Sequence, residues 1–389
     1  MNTTPPARRG RPVVGIVGSR GAYGRWLSRF FQRTMGLEVV GRDPVGDTRL
    51  EARELIEAAD ILLFAAPIRS TVSVIDDYVA LADGIERGRL WLDVTSIKQA
   101  PVEALLRSRA DVAGLHPMAA PPKVETLKGR VMAVCPARVT SWRPWLDDFL
   151  AATQAECVEV DPAHHDRAMA LVQGLVHAGH MAQARVLREL APDIGGLPAL
   201  HPLRTVGFGL DLAVTERMLA GNPGIYEDIQ FDNPHVLPML ERLLASVEAL
   251  RDCVREGGPH ARARLRRDLL SDSSTFFGAK ALAAGSHAFE RMGYLMADLE
   301  APEYLSVFLP EDRPGSLRVL LGIFERHGVN LDSIHSSRSP EGELHFRIGI
   351  GQAQARRLAP DTWQALCADI QEEGVGRIVG GSRPAGTSG

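Results

Sequence analysis

The chain has 389 residues, room for two or three domains at roughly 100–200 residues each. Its 45% hydrophobic and 24% charged content is ordinary globular usage, which supports a sizeable core and excludes wholesale disorder. The formal net charge of −4 does not advertise a nucleic-acid or anionic-membrane surface, and no stretch approaches the 18 or so uncharged apolar residues of a membrane span.

The opening MNTTPPARRG has no apolar segment or cleavage site of a signal peptide, and residues 1–11 are expected to be disordered. Cys135, Cys157, Cys253 and Cys367 are widely spaced without CxxC, which fits reduced thiols in a cytoplasmic protein rather than a disulfide scaffold or a metal site. Across residues 12–162, PVVGIVG predicts a strand, Ala22–Thr34 a helix, LEVVGRD a second strand and ADILLFAAP a third, apolar enough to be buried on both faces. RLWLDVTS, DVAGLHP and RVMAVCP predict further strands, so the alternation points to a parallel, doubly wound α/β sheet that ends near CVEVDP.

Residues 163–298 carry almost no strand signal and predict an all-α domain. Arg167–Leu190 is apolar around most of its circumference, which predicts a helix buried in a core or in a dimer seam. The composition shifts again at Ala301-Pro302. Residues 302–380 then read as β-α-β-β-α-β, an α+β ferredoxin-like unit, and 381–389 as a disordered tail.

The turn after the first strand is Gly18-Ser19-Arg20-Gly21-Ala22-Tyr23-Gly24. Against the G-x-G-x-x-G fingerprint, Gly21 and Gly24 hold the second and third glycine positions and Ser19 the first, with Gly18 one residue earlier. Gly21 would admit a pyrophosphate to the helix N-terminus, and Gly24 would let the helix pack on the sheet. Asp43 follows the second strand, where a carboxylate accepts ribose hydroxyls and disfavours a 2′-phosphate, although Arg42 beside it could greet one. The expected cofactor-binding set is therefore Gly18, Ser19, Gly21, Ala22, Tyr23, Gly24, Asp43 and, at the end of the third strand run, Pro67. The alternative is a glycine-rich turn with no ligand.

Two segments follow late strands, Asp93-Val94-Thr95-Ser96-Ile97-Lys98 and Gly114-Leu115-His116-Pro117-Met118. Ligands of open α/β sheets lie beyond the carboxyl ends of the strands, and an imidazole there can take a proton from a substrate hydroxyl while hydride leaves the same carbon. Ser96 could orient that imidazole or a nicotinamide amide, and Lys98 could bind an anionic group. By position alone, His116 could equally be a satisfied loop histidine and Lys98 a solvated charge. The His164-His165 pair reads as a helix-start feature, and the arginines at 262, 264, 266 and 267 read as a solvated face.

Taken together, GSRGAYG, DVTSIK, GLHPM, HDRAMALVQGLVH and TERMLAGNPGIYEDI resemble the prephenate dehydrogenase family over roughly residues 12–295. The resemblance implies a Rossmann-type dinucleotide-binding domain, an all-α dimerisation domain, and NAD-dependent oxidative decarboxylation of prephenate to 4-hydroxyphenylpyruvate by a homodimer. It implies that His116 contacts the ring hydroxyl, with Ser96 near it and the nicotinamide. Lys98 belongs to the same loop, His177 lines the substrate pocket and Arg217 grips a substrate carboxylate. Ser19 departs from the fingerprint. In AAPPK, Ala120 and Pro122 stand where many relatives carry a glycine and an acidic residue, which leaves arogenate open as the substrate. A non-catalytic sensor would have no need of Ser96, His116 and Arg217 together. A 3-hydroxyacid dehydrogenase would carry a lysine on the long helix, and this one has none between Asp161 and Leu190.

Residues 303–380 resemble an ACT domain through Asp312-Arg313-Pro314-Gly315-Ser316-Leu317, Gly328-Val329-Asn330-Leu331 and the run Ser333–Ser339. That resemblance implies an effector site at Gly315, Ser316, Asn330 and Leu331, with tyrosine as the expected ligand, phenylalanine as the other candidate, and simple dimerisation as the alternative role.

Overall fold

The computed structural model describes residues 11–121, 126–300, 303–310, 313–338 and 343–381. The expected disordered ends fall almost entirely outside these residues, as do Pro122 and Asp312. The chain divides into two compact units, one ending at Ala261 and the other beginning at Arg262.

The first unit opens with β1 (Val14–Val17), α1 (Ala22–Arg33), β2 (Val39–Arg42), α2 (Ala52–Ala58), β3 (Ile61–Phe64), α3 (Ile68–Ala82), β4 (Leu90–Asp93) and α4 (Gln99–Leu105). It continues with β5 (Asp111–Pro117), β6 (Val131–Arg138), α5 (Arg143–Thr153) and β7 (Glu156–Glu159). The strands form one sheet in the order β2-β1-β3-β4-β5-β6-β7. β1 to β5 pair in parallel, as the continuous apolar runs predict.

The all-parallel expectation fails at β6, which pairs antiparallel to β5, with β7 parallel to β6. Parallel pairing needs a crossover, usually a helix, and the described part of the β5–β6 connection holds none. The chain therefore turns back alongside β5. β7 is the outer edge, and Glu156 and Glu159 stand exposed on it, charges that discourage strand addition.

Successive β3 residues divide between two cores, as the two-residue period of a strand requires. Ile61 and Leu63 pack in the cluster that includes Trp26, Leu27, Phe30 and Phe31 of α1 and Leu146 and Phe149 of α5. Leu62 and Phe64 join Leu55, Ile75 and Leu105, contributed by α2, α3 and α4. The first core is strongly aromatic. Phe30 stacks on Trp26 at 5.4 Å between centroids, Phe31 lies 5.2 Å from Phe149, and Phe149 stacks on Trp145 at 5.5 Å.

Beyond β7 the unit is helical, with α6 (Pro162–Met169), a π-helical segment (Ala170–Leu175), α7 (Val176–Leu190) and α8 (Leu197–Leu200). Then come α9 (Val206–Leu219), α10 (Pro223–Asp232) and α11 (Val236–Glu256), while α12 (Gly258–Leu265) spans the division between the units. The single helix predicted over 167–190 is thus interrupted by a π turn. The irregularity is matched by Gln230 of α10, whose amide donates to the Gly174 carbonyl at 3.0 Å. α7 has no buried residue, so its apolar surface does not serve a core within this chain.

Arg69 at the start of α3 ties the sheet to the helices. Its Nε donates to Asp228 Oδ1 at 2.6 Å and its Nη2 to Glu227 at 2.9 Å, beside an apolar contact of Ile68, Ile97 and Ile229. The charge pattern of the sequence carried no signal for this clamp, because its partners lie about 160 positions apart.

The second unit contains α13 (Asp272–Phe277) and α14 (Ala279–Glu300), followed by β8 (Tyr304–Leu309), α15 (Ser316–Arg326), β9 (Ser333–Arg338) and β10 (Leu344–Gly349). It ends with α16 (Gln352–Ala355), α17 (Pro360–Glu372) and β11 (Arg377–Gly381). The antiparallel sheet runs β11-β8-β10-β9, the ferredoxin-like order that the sequence predicts. Leu305, Val307 and Leu309 of β8 face Leu320, Ile323 and Phe324 of α15 and Leu366 and Ile370 of α17. No helix among the described residues is long and apolar enough to cross a membrane.

The aromatic layer generates a prediction. Phe30 is fully buried, so Phe30→Ala removes a large side chain from a site that α1 and α5 keep from collapsing. Chemical denaturation should show a loss of about 3–5 kcal/mol.

Candidate active site

β1 lies between β2 and β3, so the sheet grows in opposite directions on either side of it, and the carboxyl ends of β1 and β3 frame a crevice. The residues expected at the dinucleotide turn and the proton acceptor lie along this edge, while His177 and Arg217 lie on helices of the α-helical part. Gly18 ends the β1 turn, Pro67 precedes α3, Ser96 and Lys98 follow β4, and His116 lies in the last turns of β5.

The turn corrects the fingerprint alignment. Gly18, not Ser19, supplies the left-handed residue, with φ at 82°, and a Cβ there would lie 2.7 Å from the Ala65 carbonyl oxygen. Ser19 is buried, and its hydroxyl donates to Asp47 Oδ2 at 2.8 Å, so it closes the turn instead of loosening it. A Cβ on Gly24 would come within 2.1 Å of the Gly18 carbonyl oxygen, so the helix can start this close only with glycine at that position. Asp43 Oδ2 accepts from the Arg20 N–H at 3.0 Å and Oδ1 from Val45 N–H at 2.9 Å, which sets the carboxylate against the turn. Arg42 is engaged with Glu51 at 3.4 Å. Gly21 caps α1, so the first-turn N–H groups of Ala22, Tyr23 and Gly24 are the donors that a dinucleotide pyrophosphate requires. The residues present fit such a cofactor. The Tyr23 hydroxyl donates to the Ala119 carbonyl, joining this turn to the loop after β5, and burial holds its phenol well above the ordinary range.

Lys98 does not stand where a substrate could meet it. Its side chain is 0% exposed, its ammonium is ion-paired with the equally buried Asp93, and it donates to the Leu115 carbonyl at 2.8 Å. The Thr95 N–H donates to Asp93 Oδ1 at 3.0 Å, and its hydroxyl shares its one hydrogen between Asp93 Oδ1 at 2.7 Å and the Ile97 carbonyl at 2.8 Å. That tight turn leaves Ser96 half-buried at its apex. Lys98 thus fixes the backbone immediately before His116.

His116 is 3% exposed, and its Nδ1 lies 2.9 Å from Nε2 of His165, the second histidine of the pair read as a helix start. α6 does start there: Asp161 accepts from the His164 N–H at 3.0 Å and Pro162 follows. The same first turn carries His165 and Asp166 under the edge of the sheet. His165 Nδ1 lies 2.8 Å from Asp166 Oδ1, and the Asp166 carboxylate accepts the Lys98 N–H at 2.7 Å and the Gln99 N–H at 2.9 Å. His165 and Asp166 are functional candidates that sequence reasoning missed. The available signal was the buried spacing of an acid one residue after a histidine in a capped first turn.

On the other side of the ring, the Gln173 amide nitrogen lies 3.4 Å from His116 Nε2. His177, one turn further along, packs edge-on against Tyr226 at 4.9 Å. Burial, then the His116 neighbours His165 and Lys98, push the His116 pKa well below the ordinary histidine range. Burial followed by His180 lowers that of His177. Both shifts favour the neutral ring, the form in which an imidazole can accept a proton. Arg217 stands exposed on α9. In the second unit, Gly315 (φ 97°) caps α15, the Ser316 hydroxyl accepts from the Arg313 N–H at 3.3 Å, Asn330 is exposed and Leu331 packs on the core.

The Asp93–Lys98 pair has a measurable consequence. Lys98→Met leaves a carboxylate buried without its cation and should cost about 3–5 kcal/mol in denaturant unfolding, far more than an exposed pair would.

Comparison with known proteins converges on one family. Residues 40–159 match the prephenate dehydrogenase nucleotide-binding domain, 161–268 the prephenate dehydrogenase dimerization domain and 304–351 the ACT domain. A protein of Methanocaldococcus jannaschii described as a probable arogenate/prephenate dehydrogenase is 26% identical over 306 residues. The match covers 74% of this chain and 66% of that relative, so the chain spans a little under two-thirds of its length. The 4-amino-4-deoxyprephenate dehydrogenase of Streptomyces pristinaespiralis is 30% identical over 281 residues, 67% of this chain and 92% of that one. In structure, the prephenate dehydrogenase of A. aeolicus in complex with hydroxyphenyl propionate and NAD+ superimposes with a TM-score of 0.53 at 17% identity, covering 73% of this chain and 99% of that chain, a likeness of fold. With the sheet edge, the capped α6 and the C-terminal sheet in agreement with all three matched domains, the chain belongs to the prephenate dehydrogenase family.

Proposed function

We propose that the chain catalyses the NAD-dependent oxidative decarboxylation of prephenate to 4-hydroxyphenylpyruvate. The observation that supports this best is a neutral, buried His116 whose Nε2 faces Gln173 at the carboxyl edge of the sheet, across from the glycine turn. Bound at that turn, NAD+ would supply the hydride acceptor, and Asp43 would hold the adenosine ribose. His116 Nε2 takes the proton of the ring hydroxyl while hydride leaves the carbon that bears it. Carbon dioxide leaves the opposite ring carbon, whose bonding electrons complete the aromatic ring. The proton held on His116 then returns to the phenol oxygen, so the residue ends each cycle as it began. Ser96 would orient this imidazole or the nicotinamide amide, His177 would line the substrate pocket, and Arg217 would supply a planar guanidinium for a substrate carboxylate. Lys98 acts from inside, as the support of the His116 backbone.

A second reading rests on the Streptomyces relative, whose name places an amine where prephenate carries its hydroxyl. The same His116 would serve either group. A homodimer through the helices accounts for Leu171, Val172, Val186 and Val214, all left largely exposed by this chain alone. The C-terminal unit would bind tyrosine at Gly315, Ser316, Asn330 and Leu331 and inhibit the enzyme, a coupling of roughly 1–3 kcal/mol.

Reduced-cofactor absorbance decides among substrates. Prephenate, arogenate and 4-amino-4-deoxyprephenate are offered with NAD+ or NADP+, and prephenate with NAD+ should turn over fastest. Absence of turnover in every lane would overturn an enzymatic role. His116→Asn should lower kcat by about 10²–10⁴, whereas Arg217→Ala should chiefly raise KM. Because burial depresses the His116 pKa, the neutral base persists below pH 6.5 and kcat/KM should start to fall only at more acidic pH. Titration calorimetry, on material whose dimeric mass has been checked by light scattering, should show tyrosine binding. Binding by neither tyrosine nor phenylalanine would remove the feedback role.

A further inference from the structure

We infer that His165 is a positioning residue that, with Asp166 behind it, sets the tautomer of His116 and so selects which ring nitrogen faces the substrate. The inference rests on the proposed role of His116 as proton acceptor and adds the device that prepares it.

For a neutral His165 the hydrogen-bond chain has one consistent reading; a cationic His165 would donate from Nε2 and reverse it. The Asp166 carboxylate already accepts two backbone N–H groups, from Lys98 and Gln99, and a carboxylate has only acceptors to offer. At 2.8 Å from it, His165 Nδ1 must be the donor. A neutral imidazole has one N–H, so His165 Nε2 carries a lone pair. His116 Nδ1, 2.9 Å from that lone pair, must then carry the hydrogen of its own ring. This leaves His116 Nε2 bare. The Gln173 amide nitrogen, a donor-only group, faces that atom at 3.4 Å. The nitrogen that faces Gln173 is thus the one able to receive a proton.

Each link is anchored against rotation. Asp166 holds the N-terminus of α4 through two N–H groups, and its own carbonyl accepts from the Asn233 side chain at 2.8 Å. His165 and Asp166 are each 1% exposed, so water does not compete for their bonds. The charged and titratable groups packed around His116 are His165 and Asp166 from α6, and Lys98 with its partner Asp93 from the β4–α4 turn. The Lys98 ammonium is answered by Asp93, so the route by which a carboxylate supports a proton on His116 runs through His165. When Nε2 takes up a proton, the Nδ1–H already points at a lone pair backed by a carboxylate, and no side chain has to move.

The test reads the tautomer directly, without turnover. In full-length protein labelled with ¹⁵N-histidine, two-bond ¹H–¹⁵N correlation spectra at neutral pH should show His116 as the Nδ1–H tautomer alone. His165→Leu removes the acceptor. His116 should then populate both tautomers, with kcat down about 10–100-fold and KM within about twofold. His165→Gln, whose amide oxygen can reach the same N–H, should restore the single tautomer and most of kcat. A change of packing alone would move neither the spectrum nor the Leu-to-Gln rescue. Wild-type His116 in the Nε2–H form overturns the inference, and so does a His165→Leu protein with an unchanged tautomer and kcat within about twofold. If His165→Leu does not fold, the wild-type spectrum decides alone. A wild-type Nδ1–H signal in a protein that turns over none of the offered substrates upholds the positioning role while rejecting the assigned reaction.

Discussion

A carboxylate taken out of water must be met by donors, and at Asp166 that requirement organises the whole carboxyl edge of the sheet. Its two oxygens draw in the backbone of Lys98 and Gln99 and the ring of His165, three groups that belong to two different helices. Asp93, a few residues from the same turn, faces the same demand and meets it with the Lys98 ammonium. Through the Leu115 carbonyl that ammonium reaches the strand carrying His116. The two buried acids therefore act together. One fixes the helix beneath the site, the other the strand beside it, and His116 is gripped between them.

The surrounding architecture keeps this arrangement in place. The aromatic layer of α1 and α5 fills one face of the sheet and the apolar sides of α2, α3 and α4 fill the other, so strand ends project from a rigid platform. The Arg69 clamp onto α10 and the contact of Ile68, Ile97 and Ile229 dock the helices over that platform. The π turn before α7 presents Gln173 to His116, and Gln230 satisfies the carbonyl of the same irregular segment. The cost of breaking helical regularity is offset by a side chain from a neighbouring helix, a recurring pattern where a helix must present a side chain out of register.

Membership of the prephenate dehydrogenase family leaves the substrate's substituents open at both the ring and the side chain. The matched relatives carry names that span arogenate, prephenate and an amino analogue of prephenate. The proton acceptor proposed at His116 suits a ring hydroxyl or a ring amine alike, so it does not by itself choose between prephenate and its 4-amino analogue, whereas arogenate differs at the side chain. The family resemblance thus speaks most strongly for the reaction type and least for the substrate's substituents.

Much of this was legible in the sequence because it rests on local rules. Continuous apolar runs such as ILLF and LWLD identified buried parallel strands, the glycine spacing marked the cofactor turn, and Pro-Gly-Ser before an amphipathic stretch marked α15. The His164-His165 pair likewise marked a helix start, where the structure shows Asp161 capping α6. Tertiary structure decided what depends on groups distant in the chain. It gave the turn's positive-φ position to Gly18, one residue before the aligned Ser19, turned β6 antiparallel and withdrew Lys98 from the surface. It also brought His165 to His116 across 49 positions. Periodicity and propensity report which side of an element is apolar. They do not report which buried donor will meet which buried acceptor, because that pairing is set by the desolvation cost of leaving either one alone and is settled only when the elements pack.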